Sequence, residues 1–338
     1  MKIIIFSPTS VKIQQKIVGG ADFQLKKLIQ ILKKQKHKVT TYTTTDTQKK
    51  GTYNWLEAYK HKLECDIFIV YRKALVLPNI KTKYKIFYTQ DLTNTPCYDG
   101  LREHPEYLEQ FDRIICLTNF HKEHLLKELK INIPISIIGN STEKTDYKPH
   151  KVKEKNFIYC SAPHKGLIAL ARIWKQLYKQ LPEYKLHIYS SFKLYGNKDK
   201  DHDNFEKIKK LKGIKYHEIT TRKELKEQMK KSKLMLYPCT YPETYGNVFN
   251  EAMSVRLPII TSNIGSAKEV IGNAGIFIHG NPYEQEYIDN FIFQIKDTIN
   301  KPYSLDYLQR QCKYRTHEDY EKDIINLIKK IKEEIKNV

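Results

Sequence analysis

Two series of short, unbroken apolar runs, separated by amphipathic stretches of helical length, dominate this 338-residue sequence and leave it few possible folds. In the first series KIIIFS (2–7), KVTTYTT (38–44), CDIFIVY (65–71), YKIFYTQ (84–90) and RIICLT (113–118) read as strands, with ADFQLKKLIQILKKQ (21–35) a helix. The second series has strands NFIYCSA (156–162), YKLHIYSS (184–191), IKYHEI (214–219), KLMLYP (233–238) and LPIITSN (257–263). Its helices are GLIALARIWKQLYKQL (166–181), RKELKEQMKKS (222–232) and a short one near Asn247 to Ser254. Strands that are apolar throughout must be covered on both faces, and intervening helices supply that cover, so each series predicts a parallel sheet of an α/β domain.

Between the series lies NSTEKTDYKPHKVKEK (140–155), polar, charged and interrupted by Pro149, which reads as a linker. The expected organisation is therefore a domain over 1–150, a second over 151–315, and a closing helix over 316–338. That helix carries Tyr320, Ile324, Leu327, Ile328 and Ile331 on one side, so it needs a partner surface.

The net charge of +21 admits polyanionic partners. Its lysines are dispersed, however, and no recognition motif or clustered basic-aromatic array accompanies them, which argues against a specific nucleic-acid protein. The densest basic run, KKLIQILKKQKHK (26–38), fits a solvated helix with its apolar side in a core, and a peripheral membrane contact is the alternative. Six scattered cysteines without CxxC exclude a disulfide framework or zinc knuckle, and no apolar run approaches a membrane span, so a cytoplasmic setting is expected. DKDHD (199–203) contains a DxD but lacks the ligand spacing of a calcium loop, so no metal site is assigned.

In doubly wound sheets ligands bind where strands end and loops lead into helices. Gly19-Gly20, before the first long helix, lets backbone amides approach a phosphate or polar acceptor. SAPHKGL (161–167) places Ser161, Lys165 and Gly166 at another helix start, where a lysine can neutralise a leaving diphosphate. The loop from Ile219 to Arg222 is a further candidate, as is Ser262 to Ser266. After KLMLYP, the loop Cys239 to Gly246 leads into the helix near Asn247, so the amides of Tyr245, Gly246 and Asn247 form an anion cradle. Glu243, outside that helix, can accept from sugar hydroxyls, and Glu251, a turn inside it, from a vicinal ribose diol.

Glu243-Thr244-Tyr245-Gly246 followed by Glu251-Ala252-Met253 resembles the E-x7-E signature of glycosyltransferase family 4, whose usual form is E-x-F-G-x-x-x-x-E-A-M. LPIITSNIGSAKEVIGNAGIFI (257–278), Gly19-Gly20, RIICLTNFHKEHL (113–125) and IIGNS (137–141) are similar to flanking segments of that family. The resemblance implies a GT-B fold, two Rossmann-like domains facing across a cleft, with the last helix crossing back to the first domain. It also implies retaining, metal-independent transfer of a sugar from a UDP- or GDP-sugar to a glycan, glycoprotein or lipid acceptor, with no cofactor beyond that co-substrate. In this scheme the first domain binds the acceptor and the second the donor. Glu251 would take the ribose, Glu243 the sugar, and Lys165 the diphosphate. Ser161, Ile219, Thr244 and the amides of Tyr245, Gly246 and Asn247 would complete the donor site, and Gln90 or Asp91 would orient the acceptor. Alternatives are a GT-B epimerase or hydrolase of the nucleotide-sugar itself, a basic nucleic-acid binder, or a non-catalytic scaffold.

Four positions depart from the family pattern. Cys160 replaces a frequent arginine, Gln90 stands where a histidine is common, Arg256 replaces the glycine that ends the helix after Glu251, and Ser141 follows Asn140 where glycine is preferred. An arginine in a left-handed cap would cost about 1–2 kcal/mol, and a glutamine cannot relay a proton.

Overall fold

The structure, a computed structural model, describes residues 1–8, 18–44, 51–74, 77–145, 154–195 and 203–337. The middle of the expected linker and Asp199 to His202 of the DxD segment lie outside the described residues. The chain forms two compact units, Met1–Ser141 with Thr316–Val338, and Thr142–Arg315.

The first unit is built on β1 (Lys2–Ser7), β2 (Lys38–Thr43), β3 (Thr52–Asn54), β4 (Leu63–Tyr71), β5 (Ile80–Tyr88), β6 (Arg113–Cys116) and β7 (Ile135–Ile137). They form one sheet in the order β3-β2-β1-β4-β5-β6-β7, parallel at each pairing. Ile3, Ile5, Ile67, Val70, Ile86 and Phe87 have essentially no solvent exposure, as strands apolar on both faces require. Helices α1 (Gly20–Lys34), α2 (Asp99–Glu103) and α3 (Asn119–Glu128) connect them.

The second unit has β8 (Asn156–Cys160), β9 (Lys185–Tyr189), β10 (Ile214–His217), β11 (Leu234–Tyr237), β12 (Ile259–Ser262) and β13 (Gly275–Ile278). Their order is β10-β9-β8-β11-β12-β13, again parallel. Its helices are α4 (Leu167–Gln180), α5 (Asp203–Lys209), α6 (Arg222–Lys231), α7 (Asn247–Ser254), α8 (Ala267–Ile271), α9 (Gln285–Asn300) and α10 (Pro302–Gln311). A continuous core runs under them, with Phe157 stacked on Tyr184 at 4.8 Å and edge-on to Trp174.

The last helix, α11 (His317–Lys336), belongs to the first unit and buries Tyr320, Ile324, Leu327, Ile328 and Ile331, the stripe visible in the sequence. It packs on α1 and β5. A buried polar clamp fixes its far end: Arg113 donates to Glu334 at 2.7 Å, to the Tyr84 hydroxyl at 3.1 Å and to Ser136 at 3.1 Å. At its near end Ser141 Oγ hydrogen-bonds His317 Nδ1 at 2.9 Å and donates to Gln24 Oε1 at 3.3 Å. A glycine at 141 could make neither bond, which accounts for the serine at that departure.

Each sheet reverses its strand order once, between β1 and β4 in the first unit and between β8 and β11 in the second. At such a reversal the adjacent loops turn away from each other and open a crevice beyond the strand ends. Both crevices collect residues singled out in the sequence.

Candidate active site

In the second unit, the ends of β8 and β11 are joined by hydroxyls. Ser161 Oγ and the Tyr237 hydroxyl lie 2.8 Å apart, and Tyr237, fully buried, donates at 2.7 Å to Glu243 Oε1. Tyr237 is itself wedged between Tyr159, stacked at 5.6 Å, and Phe249, edge-on at 5.2 Å. Its position, and so that of its hydroxyl, is set by the core.

Two glycines bring the loops together. Gly166 has φ +125°, and a Cβ there would sit 2.2 Å from the Pro238 carbonyl oxygen, so only glycine lets the turn after β8 close onto the end of β11. Gly265, at φ +61°, presses on Glu243, where a Cβ would meet its nitrogen at 2.7 Å, and the neighbouring Ser266 N–H donates to the Glu243 carbonyl at 2.9 Å. The result is a buried carboxylate facing a lysine: Lys165 Nζ lies 2.8 Å from each oxygen of Glu243. The same ammonium sits 4.8 Å from the centre of the Tyr241 ring. His164 completes the surround, stacked on Phe192 at 5.9 Å and edge-on to Tyr241, with burial and the adjacent Lys165 charge lowering its pKa.

Four residues beyond Glu243, α7 begins. Its N-cap Gly246 is left-handed at φ +69°, with the Phe249 ring so close beneath it that a Cβ would lie 2.4 Å from two ring carbons. As a glycine, Gly246 supplies no capping side chain to the positive end of this helix, and the Phe249 N–H turns back to the Gly246 carbonyl at 2.9 Å. Thr244 and Tyr245 are buried just ahead of it, and among the described residues Asn247 Oδ1 is buried without a hydrogen-bond partner. Glu251, one turn in and 7% exposed, pairs with Arg222, the first residue of α6. Thr221 and Glu224 form a capping box that fixes the backbone under Arg222. Ile219, three residues earlier, is exposed.

Thus Ser161, Lys165, Glu243, Thr244, Tyr245, Gly246, Asn247 and Glu251 gather at the strand reversal of one sheet. Tyr237 joins them without having been singled out, while Tyr241 and Arg222 come from the nominated loops Cys239 to Gly246 and Ile219 to Arg222 without a role of their own having been assigned. Tyr237 reads as the end of a core strand, and Arg222 as one more basic residue at a helix start. Cys160, the departure from arginine, is buried at the end of β8 with its thiol pKa pushed up by burial, so it contributes neither charge nor a ready nucleophile.

In the first unit Gln90 and Asp91 follow β5. Gln90 Oε1 accepts from Asn140 Nδ2 at 3.0 Å. Both oxygens of Asp91 are held by Arg72 at 2.8 and 2.9 Å, and Arg72 itself adopts φ +72°, a left-handed conformation that an arginine takes only at a cost. His121, the nearby histidine, is fully buried; its Nδ1 accepts from the Leu117 amide and its Nε2 contacts the Asp91 carbonyl at 3.1 Å. Burial lowers its pKa to about 4, so it is neutral at pH 7 and structural. Gly19 caps α1 without a side-chain bond, and Tyr71 at the end of β4 donates to the Ala21 carbonyl at 2.8 Å, tying that helix start to the strand reversal. Its φ of −61° demands no glycine.

Residues 141–319, more than half of the chain, match the family described as glycosyl transferases group 1. The chain belongs to that family. The match covers the whole second unit and therefore the Lys165, Glu243 and Glu251 constellation. No curated protein matches the sequence. Among solved structures this group 1 glycosyltransferase is similar to a sucrose-phosphate synthase from Thermosynechococcus elongatus, at 12% identity and TM-score 0.76 over 98% of this chain and 99% of that one. It is also similar to WaaG, a glycosyltransferase involved in lipopolysaccharide biosynthesis, at 14% identity and TM-score 0.68 over 92% and 94%. The pneumococcal O-GlcNAc transferase GtfA, solved with UDP and GlcNAc, aligns at 14% identity and TM-score 0.63 over 82% of this chain and 59% of that one. These likenesses establish the GT-B fold, two Rossmann-like α/β units. Among the described residues no three His, Cys, Asp or Glu side chains are grouped to hold a metal, and no helix is long and apolar enough to cross a membrane.

Proposed function

We propose that this glycosyltransferase is a retaining, metal-independent enzyme of the family 4 type, moving a hexosyl group from a UDP- or GDP-sugar to a glycan, glycoprotein or lipid acceptor. The observation that carries the reading is the Lys165–Glu243 pair beside the glycine-capped start of α7, with Glu251 on the same helix. A donor's diphosphate has an ammonium and helix amides to meet, its sugar a buried carboxylate, and its ribose a second carboxylate. The GtfA structure, with UDP and GlcNAc, supports a nucleotide-sugar as co-substrate.

As the bond to the anomeric carbon lengthens, positive charge grows on the sugar and negative charge on the diphosphate. Lys165 and the amides of Tyr245, Gly246 and Asn247 stabilise the second, and Glu243, across from Lys165, faces the first. Binding diphosphate draws Lys165 away from Glu243 and frees an oxygen for a sugar hydroxyl. Ser161, Thr244 and the Ile219 loop line the remaining donor site. The acceptor belongs to the first unit, where Gly19 and Gly20 open α1 and Gln90 orients the reacting hydroxyl. Asp91, whose two oxygens are held by Arg72, stands next to Gln90 as the alternative residue for orienting the acceptor. The departing phosphate is the available proton acceptor on that face.

Incubation with UDP- and GDP-sugars, with and without candidate acceptors, followed by NMR of the product anomer, tests this reading. It expects retained configuration, transfer unaffected by chelator, and slow donor hydrolysis without acceptor. Inverted product, an epimerised donor, or an inert protein would each refute it.

A further inference from the structure

Glu251 is nine-tenths buried, and a carboxylate in that position is costly unless its charge is compensated. Its compensation comes from α6, a different helix: Arg222 Nη1 pairs with Glu251 Oε1. Arg222 is not a loose surface side chain. It is the first residue of α6, its backbone is pinned by the reciprocal Thr221–Glu224 bonds, and α6 packs on α7. About a third of its side chain stays exposed. The field of a further carboxylate, Glu143, also reaches it; Glu143 is itself 3.9 Å from Lys226 and largely in solvent.

We propose that the ribose-binding element of the donor site is the Arg222–Glu251 pair, with Arg222 as a positioning and selectivity residue. This rests on the reading that Glu251 takes the donor's ribose. Two consequences follow from chemistry alone. With Oε1 held by the guanidinium, the carboxylate is fixed in one rotamer and offers Oε2 to the diol. A ribose hydroxyl is then met by an acceptor of fixed position, and a deoxy sugar loses that contact. Second, the diphosphate is anionic, and a bare Glu251 would repel it. The pair presents no net charge to the incoming nucleotide.

The test is calorimetric titration of UDP, GDP and their 2′- and 3′-deoxy forms into the full-length wild type, Arg222→Gln, Arg222→Lys, Arg222→Gln/Glu251→Gln and Glu143→Gln, with melting of each ligand-free protein as a folding control. Arg222→Gln should bind the preferred nucleotide about 10- to 100-fold more weakly. Its discrimination between ribose and deoxyribose should shrink by about tenfold as well. The double variant should bind more tightly than Arg222→Gln, because removing the stranded charge removes the repulsion. Arg222→Lys should fall between, keeping the charge and losing the fork, and Glu143→Gln should bind as wild type does. If the wild type retains a nucleotide and Arg222→Gln retains it equally with unchanged discrimination, Arg222 is only a surface partner and the inference fails alone. If the wild type retains neither UDP nor GDP, the donor-site reading falls and takes this inference with it.

Discussion

Glu243→Gln should separate binding from turnover in opposite directions. Lys165 Nζ is 2.8 Å from both carboxylate oxygens of Glu243, the pair is only 20% and 10% exposed, and Tyr237 donates to the same group. A diphosphate must compete with that carboxylate for the ammonium. A charge-assisted hydrogen bond is worth about 1.5–3 kcal/mol net and a neutral one about 1 kcal/mol. Exchanging carboxylate for amide, which keeps shape and leaves Tyr237 an acceptor, therefore releases about 1–2 kcal/mol of competition. UDP or GDP should bind about 5- to 30-fold more tightly to the variant. Turnover should nonetheless fall, by about 100-fold or more, since the neutral amide faces a transition state that carries positive charge on the sugar. Calorimetry of the free nucleotide and initial rates with a saturating nucleotide-sugar measure the two quantities separately. A variant that loses nucleotide affinity in proportion to its rate would refute the reasoning, because Glu243 would then be helping to hold the diphosphate site in shape and not competing for its lysine.

Three other predictions concern the frame. Arg256 takes φ +52° and closes α7 with Arg256 N–H to the Met253 carbonyl at 3.0 Å and Leu257 N–H to the Ala252 carbonyl at 3.0 Å, so Arg256→Gly should be about 1 kcal/mol more stable than Arg256→Ala in urea denaturation. Glu334→Ala strands the Arg113 guanidinium, 5% exposed, and should cost about 2–3 kcal/mol, a melting drop of about 5–10 °C, while Arg113→Met with Glu334→Leu should recover most of it. His121, held neutral by burial with its pKa lowered to about 4, gives stability that is complete above its unfolded pKa and is lost as pH falls from there toward the folded one. Unfolding free energy should drop by about 3 kcal/mol from this group between pH 6.5 and 4, and His121→Gln should flatten that slope.

The parallel sheets were legible because their central strands are buried on both sides, and burial writes itself as unbroken Ile, Val, Phe and Tyr. The short edge strands at Thr52–Asn54 and Ile135–Ile137 were not, since half-exposed residues such as Tyr53 and Ser136 carry no apolar run. The strand reversals were not readable either, because strand order depends on pairings between distant segments. Arg256 is the converse case: a residue that conflicts with its local conformation is visible in sequence when the helix end beside it is. At the site, Glu243, Lys165 and the start of α7 stood out because each lies where a strand end leads into a helix and because Glu243 and Glu251 keep the E-x7-E spacing. Their coupling did not, since Lys165 lies in the loop after β8 and Glu243 in the loop after β11, and Gly166 and Gly265 bring them together only in three dimensions. Tyr237 was hidden by resembling an ordinary core residue, and Arg222, although it closes a nominated loop, had no legible role because it resembles any basic residue at a helix start.

The central claim is that the second unit grips a nucleotide through Lys165, the start of α7 and Glu251. Titration of UDP and GDP into the wild type, Glu251→Ala and Lys165→Ala tests it most directly. The wild type should retain one of the two nucleotides, and each variant should bind it at least about tenfold more weakly. Retention of neither nucleotide by the wild type, or unchanged binding by both variants, would contradict it.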